Sequence, residues 1–218
     1  MIGAKDEDVS FHEIPAEERA HYSKRSVDTE FRFPFGLKEL YGIAYRTDFD
    51  LQAHAKMSGK NLLYRDPMTN ETFIPHCIEP TWGLNRTMLV VLLSAFEEVD
   101  PRSGDSESVH EKEVVLHLPK ALAPIKVAIL PLSKKEPLSS TAKKILADLS
   151  KYWMCQYDET GSIGKRYRRQ DEIGTPYCVT VDFETVEKDQ AVTIRDRDTT
   201  KQERVKISDL LGEFQKRF

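Results

Sequence analysis

The residues whose types and spacing most suggest chemistry lie in Cys77-Ile78-Glu79-Pro80-Thr81-Trp82-Gly83-Leu84-Asn85-Arg86. The apolar residues before Glu79 predict a buried strand carrying one carboxylate at its end, and Pro80 and Gly83 predict a sharp break. Met88-Leu89-Val90-Val91-Leu92-Leu93, followed by Phe96, predicts a helix that opens on Arg86. A carboxylate at a strand end and a guanidinium at the following helix start face the same space. Such a pair suits an ammonium and a phosphate held side by side. The fork of Arg86 matches phosphate oxygens or stacks on a base, and a helix N-terminus adds favourable partial charge. Glu79 is expensive to bury unless it meets a cation. The plainer alternatives are an arginine paired with a surface carboxylate and an edge-strand glutamate bonded to backbone amides.

A second constellation is Lys165-Arg166-Tyr167-Arg168-Arg169, the densest basic cluster, with the charged turn Arg195-Asp196-Arg197-Asp198 beyond it. Recognition of single-stranded RNA wants bases stacked on aromatic or guanidinium planes and phosphates held by basic side chains. Of the two clusters, the turn around Arg195 and Arg197 is favoured for base contacts. The competing reading is a solvated helix face linked to Asp171 and Glu172. His54, His76 and His117 are dispersed, and no spaced Cys/His set predicts zinc. No Ser-His-Asp set or glycine-rich phosphate loop is readable.

These residues must be positioned by two different kinds of unit. In the first, strands are expected around residues 38–46, 61–65, 71–79 and 113–117, flanking one long helix at 84–98. Met68-Thr69-Asn70 reads as a hairpin turn, and the acidic–basic segment around Arg19 and Arg25 reads as helix-like. Asp100 to Ser108 is polar with Pro and Gly and reads as a loop. Pro119 to Pro124 reads as a linker. Beyond it, Ile125 to Leu130 is a fully apolar strand. A helix capped at Ser139-Ser140 and running through Trp153 follows. A basic helix occupies 163–171, strands 178–181 and 191–195 come next, then a hairpin partner at 201–206 and a helix capped by Ser208. The expected fold is therefore mostly antiparallel α+β for residues 1–118 and α/β with a mixed sheet for residues 119–218.

Composition adds limits. The chain has 218 residues, 39 % hydrophobic and 31 % charged, which suits one or two globular domains. Its apolar runs are too short to span a bilayer, so no membrane partner is expected. Three scattered cysteines, Cys77, Cys155 and Cys178, read as reduced thiols in a reducing compartment, naturally the cytoplasm. The net charge of −4 hides an asymmetry: residues 1–118 carry 13 basic against 21 acidic side chains, and residues 119–218 carry 19 against 15. The basic half is the one suited to a polyanion.

The stretch 77–96 resembles the third signature motif of class II aminoacyl-tRNA synthetases, in the form found in glycyl-tRNA synthetases. Ala20-His21-Tyr22-Ser23, Asp28-Thr29-Glu30-Phe31-Arg32-Phe33-Pro34-Phe35-Gly36 and Glu39-Leu40-Tyr41-Gly42-Ile43-Ala44-Tyr45-Arg46-Thr47-Asp48-Phe49-Asp50-Leu51 resemble the same family. Gly164 to Phe183 looks like its anticodon-binding domain. Several blocks in the right order make the match more specific than one motif.

The resemblance implies a partial class II catalytic sheet in residues 1–118 and an anticodon-binding domain in 119–218. It implies ATP-dependent attachment of glycine to its tRNA, with ATP and Mg2+ as cofactors. The implied partners are tRNA-Gly and glycine, and the full-length enzyme would be a homodimer. Arg86 would bind ATP, Glu79 would receive the glycine ammonium, and Arg46 would pair the substrate carboxylate. Glu39 would serve ATP or magnesium, with a solvated strand-end glutamate as its alternative. Thr81 stands where the family commonly has Ser; its hydroxyl preserves a hydrogen bond and its methyl narrows the pocket. Lys165, Arg166, Arg168, Arg169, Arg195 and Arg197 would meet the tRNA.

The family's earlier motif, with a further ATP-binding arginine, and its long dimer-building helix have no counterpart in residues 1–30. The chain thus looks like the C-terminal part of such an enzyme. A non-catalytic tRNA-binding or polymerase-accessory relative is the first rival, and a protein-interaction domain the second. The isolated chain is expected to activate glycine poorly or not at all. ATP–pyrophosphate exchange is the check, and a normal synthetase rate would contradict the expectation.

Overall fold

The computed structural model describes residues 2–101 and 112–218. The chain forms two compact units, one of Ala4–Val90 and one of Val91–Phe218 joined by Ile2 and Gly3.

The first unit is an antiparallel sheet of β1 (Val9–Glu13), β2 (Arg25–Phe33), β3 (Gly36–Thr47) and β6 (Cys77–Trp82), in the order β1-β2-β3-β6. Helix α1 (Phe49–Ser58) follows β3 and ends on Gly59, whose φ of 67° makes the left-handed cap. Strands β4 (Tyr64–Arg65) and β5 (Thr72–Phe73) form a hairpin, with the Asp66 carboxylate accepting from the Met68 amide at 2.7 Å. Helix α2 (Leu84–Ala95) leaves β6 after Gly83.

Several expectations change here. The segment around Arg25 is strand rather than helix, because β2 alternates and buries Phe31 and Phe33 on one side. Arg19 lies in a turn, donating to the carbonyls of Ile14 and Lys24. The strand expected at 71–79 splits into β5 and β6. The latter continues through Pro80, opposite Ile43, to Trp82. Proline is tolerated because β6 is the edge of the sheet, where its missing N–H costs no ladder bond. For the same reason β6 is largely exposed rather than buried. The helix expected to reach residue 98 stops at Ala95, and Phe96 opens a strand.

The second unit begins with the hairpin of β7 (Phe96–Val99) and β8 (Glu113–Leu116). Most of the loop expected at 100–108 lies outside the described residues. The main sheet has the order β10-β9-β11-β12-β13, formed by β9 (Val127–Pro131), β10 (Cys155–Tyr157), β11 (Tyr177–Val181), β12 (Ala191–Asp196) and β13 (Gln202–Lys206). The first three run parallel, and β12 and β13 are antiparallel additions. Strands β9 and β11 are buried at every residue, as continuous apolar strands covered on both faces must be.

Helix α3 (Leu138–Leu149) and α5 (Leu210–Arg217) cover one face of this sheet. Leu138, Ala142, Ile145, Leu149, Leu210 and Phe214 pack there on Val127, Ile129 and Val179. Helix α4 (Ile163–Glu172) covers the other face, with Ile163 and Tyr167 on Ala128, Leu130 and Cys178. Ser162 caps α4 by accepting from the Lys165 amide, whereas Ser139, Ser140 and Ser208 cap nothing. Ser139 and Ser140 sit inside the first turn of α3, and Trp153 lies past its end. The short strand β10 was not foreseen, since three residues leave too little pattern to read.

β8 runs along α4, so the compact second unit takes in the hairpin that the sequence groups with residues 1–118. Gly174 joins them: its φ is +77°, and an added Cβ would stand 2.7 Å from Leu118 Cδ1 and 3.0 Å from the Leu116 carbonyl. Gly174→Ala is therefore expected to lower stability by about 1–3 kcal/mol from backbone strain alone, before the clash is counted. Chemical denaturation of the variant beside the native chain checks this.

Candidate functional site

The pairing of β3 with β6 sets Ala44 against Glu79 and Gly42 against Thr81. Residues two apart on a strand share a face, so Glu79 and Thr81 rise beside Gly42, Ala44 and Arg46. A bulge at Leu40 adds one residue to β3, as Tyr41 pairs with Thr29 but Glu39 with Glu30. The bulge brings Glu39 onto the same side, where its Oε1 lies 3.4 Å from the point a Gly42 Cβ would occupy. Two small residues of β3, Gly42 and Ala44, thus floor a space walled by charged groups.

Two clusters stand on that face. Glu39, Leu40, Thr81, Gly83, Leu84, Asn85 and Arg86 line a cleft of about 450 Å³. Arg86, in the first turn of α2, donates from Nη1 to the Glu39 carbonyl at 2.6 Å and lies 3.4 Å from its carboxylate. Beside Glu39, Asp28 is held above the usual aspartate range by burial and by the Glu39 charge.

The second cluster centres on Arg46. Its Nε and Nη2 donate to the Asp50 carboxylate at 2.6 and 2.8 Å, and its Nη1 donates to Glu79 Oε2 at 2.7 Å. The guanidinium carbon sits 3.8 Å from the centre of the Tyr22 ring, which itself packs with His21 and Phe49. Asp50 and Glu79 push Arg46 to a higher pKa. In turn, hydrogen bonding to Arg46 holds Asp50 below the ordinary aspartate range against the opposing effect of burial. The structure therefore joins Arg46 to Glu79 and Arg86 to Glu39. Asp50 and Tyr22 were given no part from sequence. No local spacing signalled either contact, because Arg46 lies in β3, Asp50 in α1 and Tyr22 ahead of β2.

The basic residues of the second unit separate by burial. Arg195 and Asp171 form a two-point ion pair, both bonds 2.8 Å, with side chains only 6 % and 4 % exposed. The Arg195 guanidinium lies over the Tyr167 ring. Arg197, also buried, donates to the carbonyls of Gly174 and Leu118 and to Asp198. Arg166 is buried against the Pro131 carbonyl at 2.6 Å. All three arginines are buried and bonded inside the protein, which does not suit the base contacts expected of Arg195 and Arg197, although Arg195 lines a cleft with Tyr167 and Arg168. Lys165 is exposed, and Arg168 and Arg169 are half-buried, linked to Glu172 and Asp158. Asp171 meets Arg195 rather than the helix-face residues. Lys165 and Arg169 sit near the C-terminal ends of β9 and β10, where exposed Lys134 and Lys135 also lie.

Among the described residues no helix is long and apolar enough to cross a membrane. No group of three or more His, Cys, Asp or Glu side chains there is arranged to hold a metal by itself.

Residues 126–217 match the family model described as anticodon binding domain. The whole chain is 51 % identical over 217 residues to a glycine–tRNA ligase of Ruminiclostridium cellulolyticum, of which it covers 45 %. It is 50 % identical over 215 residues to that of Clostridium perfringens, again covering 45 %, with 99 % of this chain aligned. It is 50 % identical over 214 residues to that of Corynebacterium efficiens, covering 46 % of it and 97 % of this chain. The chain thus spans about half the length of the curated relatives it matches, and the resemblance to glycyl-tRNA synthetases holds along all of it.

The Arg46–Asp50 bond has a pH signature. Because Asp50 is lowered in the folded chain, its contribution to stability is complete above the ordinary aspartate value of about 3.9 and is lost as pH falls through the lower folded value. Carboxyl NMR of the chain is expected to place the Asp50 midpoint below that of free aspartate, and Arg46→Gln to return it toward the ordinary value.

Proposed function

From a chain similar throughout to glycine–tRNA ligases, we propose that it supplies the amino-acid and ATP pocket of such an enzyme together with the domain that reads the tRNA anticodon. Residues 1–118 act as part of the class II catalytic sheet and residues 119–218 as the anticodon-binding domain. The observation that carries the reading is the charged face built on β3 and β6, where an exchangeable Arg46–Glu79 pair stands beside the Arg86–Glu39 pair.

Glycine is a zwitterion. Glu79 takes its ammonium and Arg46 its carboxylate, while Gly42 and Ala44 leave room beneath and Thr81 closes the wall against larger side chains. Selectivity must be steric, since one methylene in an apolar pocket is worth only roughly 1–3 kcal/mol. The glycine carboxylate oxygen then attacks the α-phosphorus of ATP, and the bond to the pyrophosphate oxygen breaks. Arg86 offers its guanidinium to the charge that builds on the phosphates. The 3′ hydroxyl of the tRNA next attacks the glycyl carbonyl, forming the ester and releasing AMP. Mg2+ supplies charge neutralisation to the triphosphate. Glu39 would be the protein residue that holds it, in keeping with a cation that is held by one or two carboxylates and substrate phosphates. The complete enzyme works in the cytoplasm as a homodimer.

In the anticodon domain, Lys165, Arg168 and Arg169 meet the tRNA together with Lys134 and Lys135, at the carboxyl ends of the parallel strands where open α/β sheets bind ligands. Arg166, Arg195 and Arg197 brace this surface from inside.

The test is binding of the chain to tRNA-Gly and to the same tRNA with its anticodon replaced, across a salt series. Preference for the native anticodon and a steep salt slope are expected, and Lys165→Ala should flatten the slope by about 1. Equal affinity for both tRNAs, or none, overturns the anticodon reading.

A further inference from the structure

The sheet of β1, β2, β3 and β6 has two unlike faces, because register sorts its residues into rows. One face carries the row His12, Asp28, Gly42 and Thr81, with Arg46 and Glu79 beside it. The other carries Phe11, Thr29, Tyr41 and Trp82, a row that crosses all four strands. Next to that row, Val27 stands beside Ile43 and Ile43 opposite Pro80, and Tyr45 then pairs with Ile78. The charges on this second face, Glu13 and Arg25, sit at one corner and bind each other at 3.0 and 2.9 Å.

An antiparallel sheet commonly packs its apolar face on a core and leaves the polar face to water. Here the apolar face is open: Phe11, Ile78 and Trp82 are 76 %, 68 % and 67 % exposed, and Ile43 is 47 % exposed. The Tyr41 hydroxyl shares a hydrogen bond with Thr87, so the first turns of α2 adjoin this face, and Leu84 and Met88 there are exposed as well. β6 is also an end strand of the sheet. Contiguous apolar surface with a charged rim marks an interaction site.

We propose that this face seats the part of a glycine–tRNA ligase that the present chain does not span. The chain matches such ligases along its length yet covers only 45–46 % of each, so more than half of each relative has no counterpart here. A second copy of the chain would bring the same sheet again and leave that surplus without a place. In α+β domains a sheet buries its apolar face under helices, so the occupant presents an apolar helical layer. The charged face then stays open to substrate. This goes beyond the assignment of glycine and ATP to particular residues and rests only on residues 1–118 being part of a catalytic sheet.

The experiment joins the part of the Ruminiclostridium cellulolyticum ligase outside its match to the amino terminus of the full chain, through a protease-cleavable linker. The linker is cut after folding, and the halves are followed by size-exclusion chromatography and hydroxyl-radical footprinting. They are expected to stay together, with Phe11, Ile78 and Trp82 protected relative to the chain alone. Ile78→Glu with Trp82→Glu is expected to weaken association by roughly tenfold or more. His12→Glu, on the charged face, is expected to leave it unchanged. Circular dichroism of each variant chain checks its fold, and the footprint of the native complex needs no variant. Halves that part on cutting, or stay together without protecting these residues, overturn the proposal. So does a chain that dimerises by itself through Trp82, since a second copy then fills the face. ATP–pyrophosphate exchange by the cut complex reports on catalysis separately: association without exchange overturns the catalytic reading and supports the seat.

Discussion

A side chain stays on one face of a sheet only while its strand keeps register, because a slip of one residue turns every neighbour to the other side. In the first unit the register of β6 on β3 fixes where all the reactive groups stand. It brings Glu79 beside Ala44, two residues from Arg46, and Thr81 beside Gly42. The same register ends β6 at Trp82, so that one glycine later α2 begins with Arg86 aimed back at β3. The bulge at Leu40 is a local exception that serves the same end, since without it Glu39 would face away from Arg86. Tyr41 and Thr87 share a hydrogen bond of 2.9 Å, which ties the start of α2 to this register.

The second unit is organised by charge in another way. A guanidinium inside a protein is tolerable only when nearly all its donors are met. Arg195 meets that demand through both oxygens of Asp171 and the face of Tyr167, and burial would otherwise oppose its charge. Arg197 meets it through two carbonyls and Asp198. Apart from the bonds to the adjacent Asp198, these join segments apart in the chain: α4 to β12 in the first case, and the turn after β12 to residues 118 and 174 in the second. Such pairs specify one arrangement of helix and strand more than they add stability, because the cost of removing both charges from water offsets much of their attraction.

Much of the second unit was legible because its strands are continuous apolar runs and α3 repeats at helical spacing. Helix boundaries were readable to within a few residues, whereas the serine caps were not, since a serine near a helix start has the same composition inside the first turn as before it. In the first unit β1, β2 and α1 escaped because alternation there is broken by charged residues on a half-exposed sheet. Glu79, Arg46, Arg86 and Glu39 were legible as residues of interest from motif and type. Which carboxylate each arginine holds was not, because partners 33 and 47 residues apart depend on strand order. The reading of Arg195 and Arg197 as base contacts failed for a related reason. A basic turn has the same sequence whether its side chains point outward or into the protein.

The two units together suggest how a working arginine differs from a structural one. Arg195 spends Nη1 and Nη2 on a carboxylate that is itself enclosed, and Arg197 spends part of its donors on buried carbonyls and part on the adjacent, half-exposed Asp198. Arg46 and Arg86 spend part of theirs on carboxylates that are half open to solvent, Glu79 and Glu39, each 48 % exposed. A ligand carboxylate or phosphate can take such a place without leaving a buried charge unpaired, because the displaced glutamate returns to water or to the ammonium end of the same ligand. The distinction lies in the partner rather than in the arginine. Exposure of the arginine alone would have misled, since Arg46 is itself mostly covered, at 19 %. A guanidinium held firmly on one edge and loosely on another is already oriented yet still has a contact to exchange, and that combination is what binding of a small zwitterion requires.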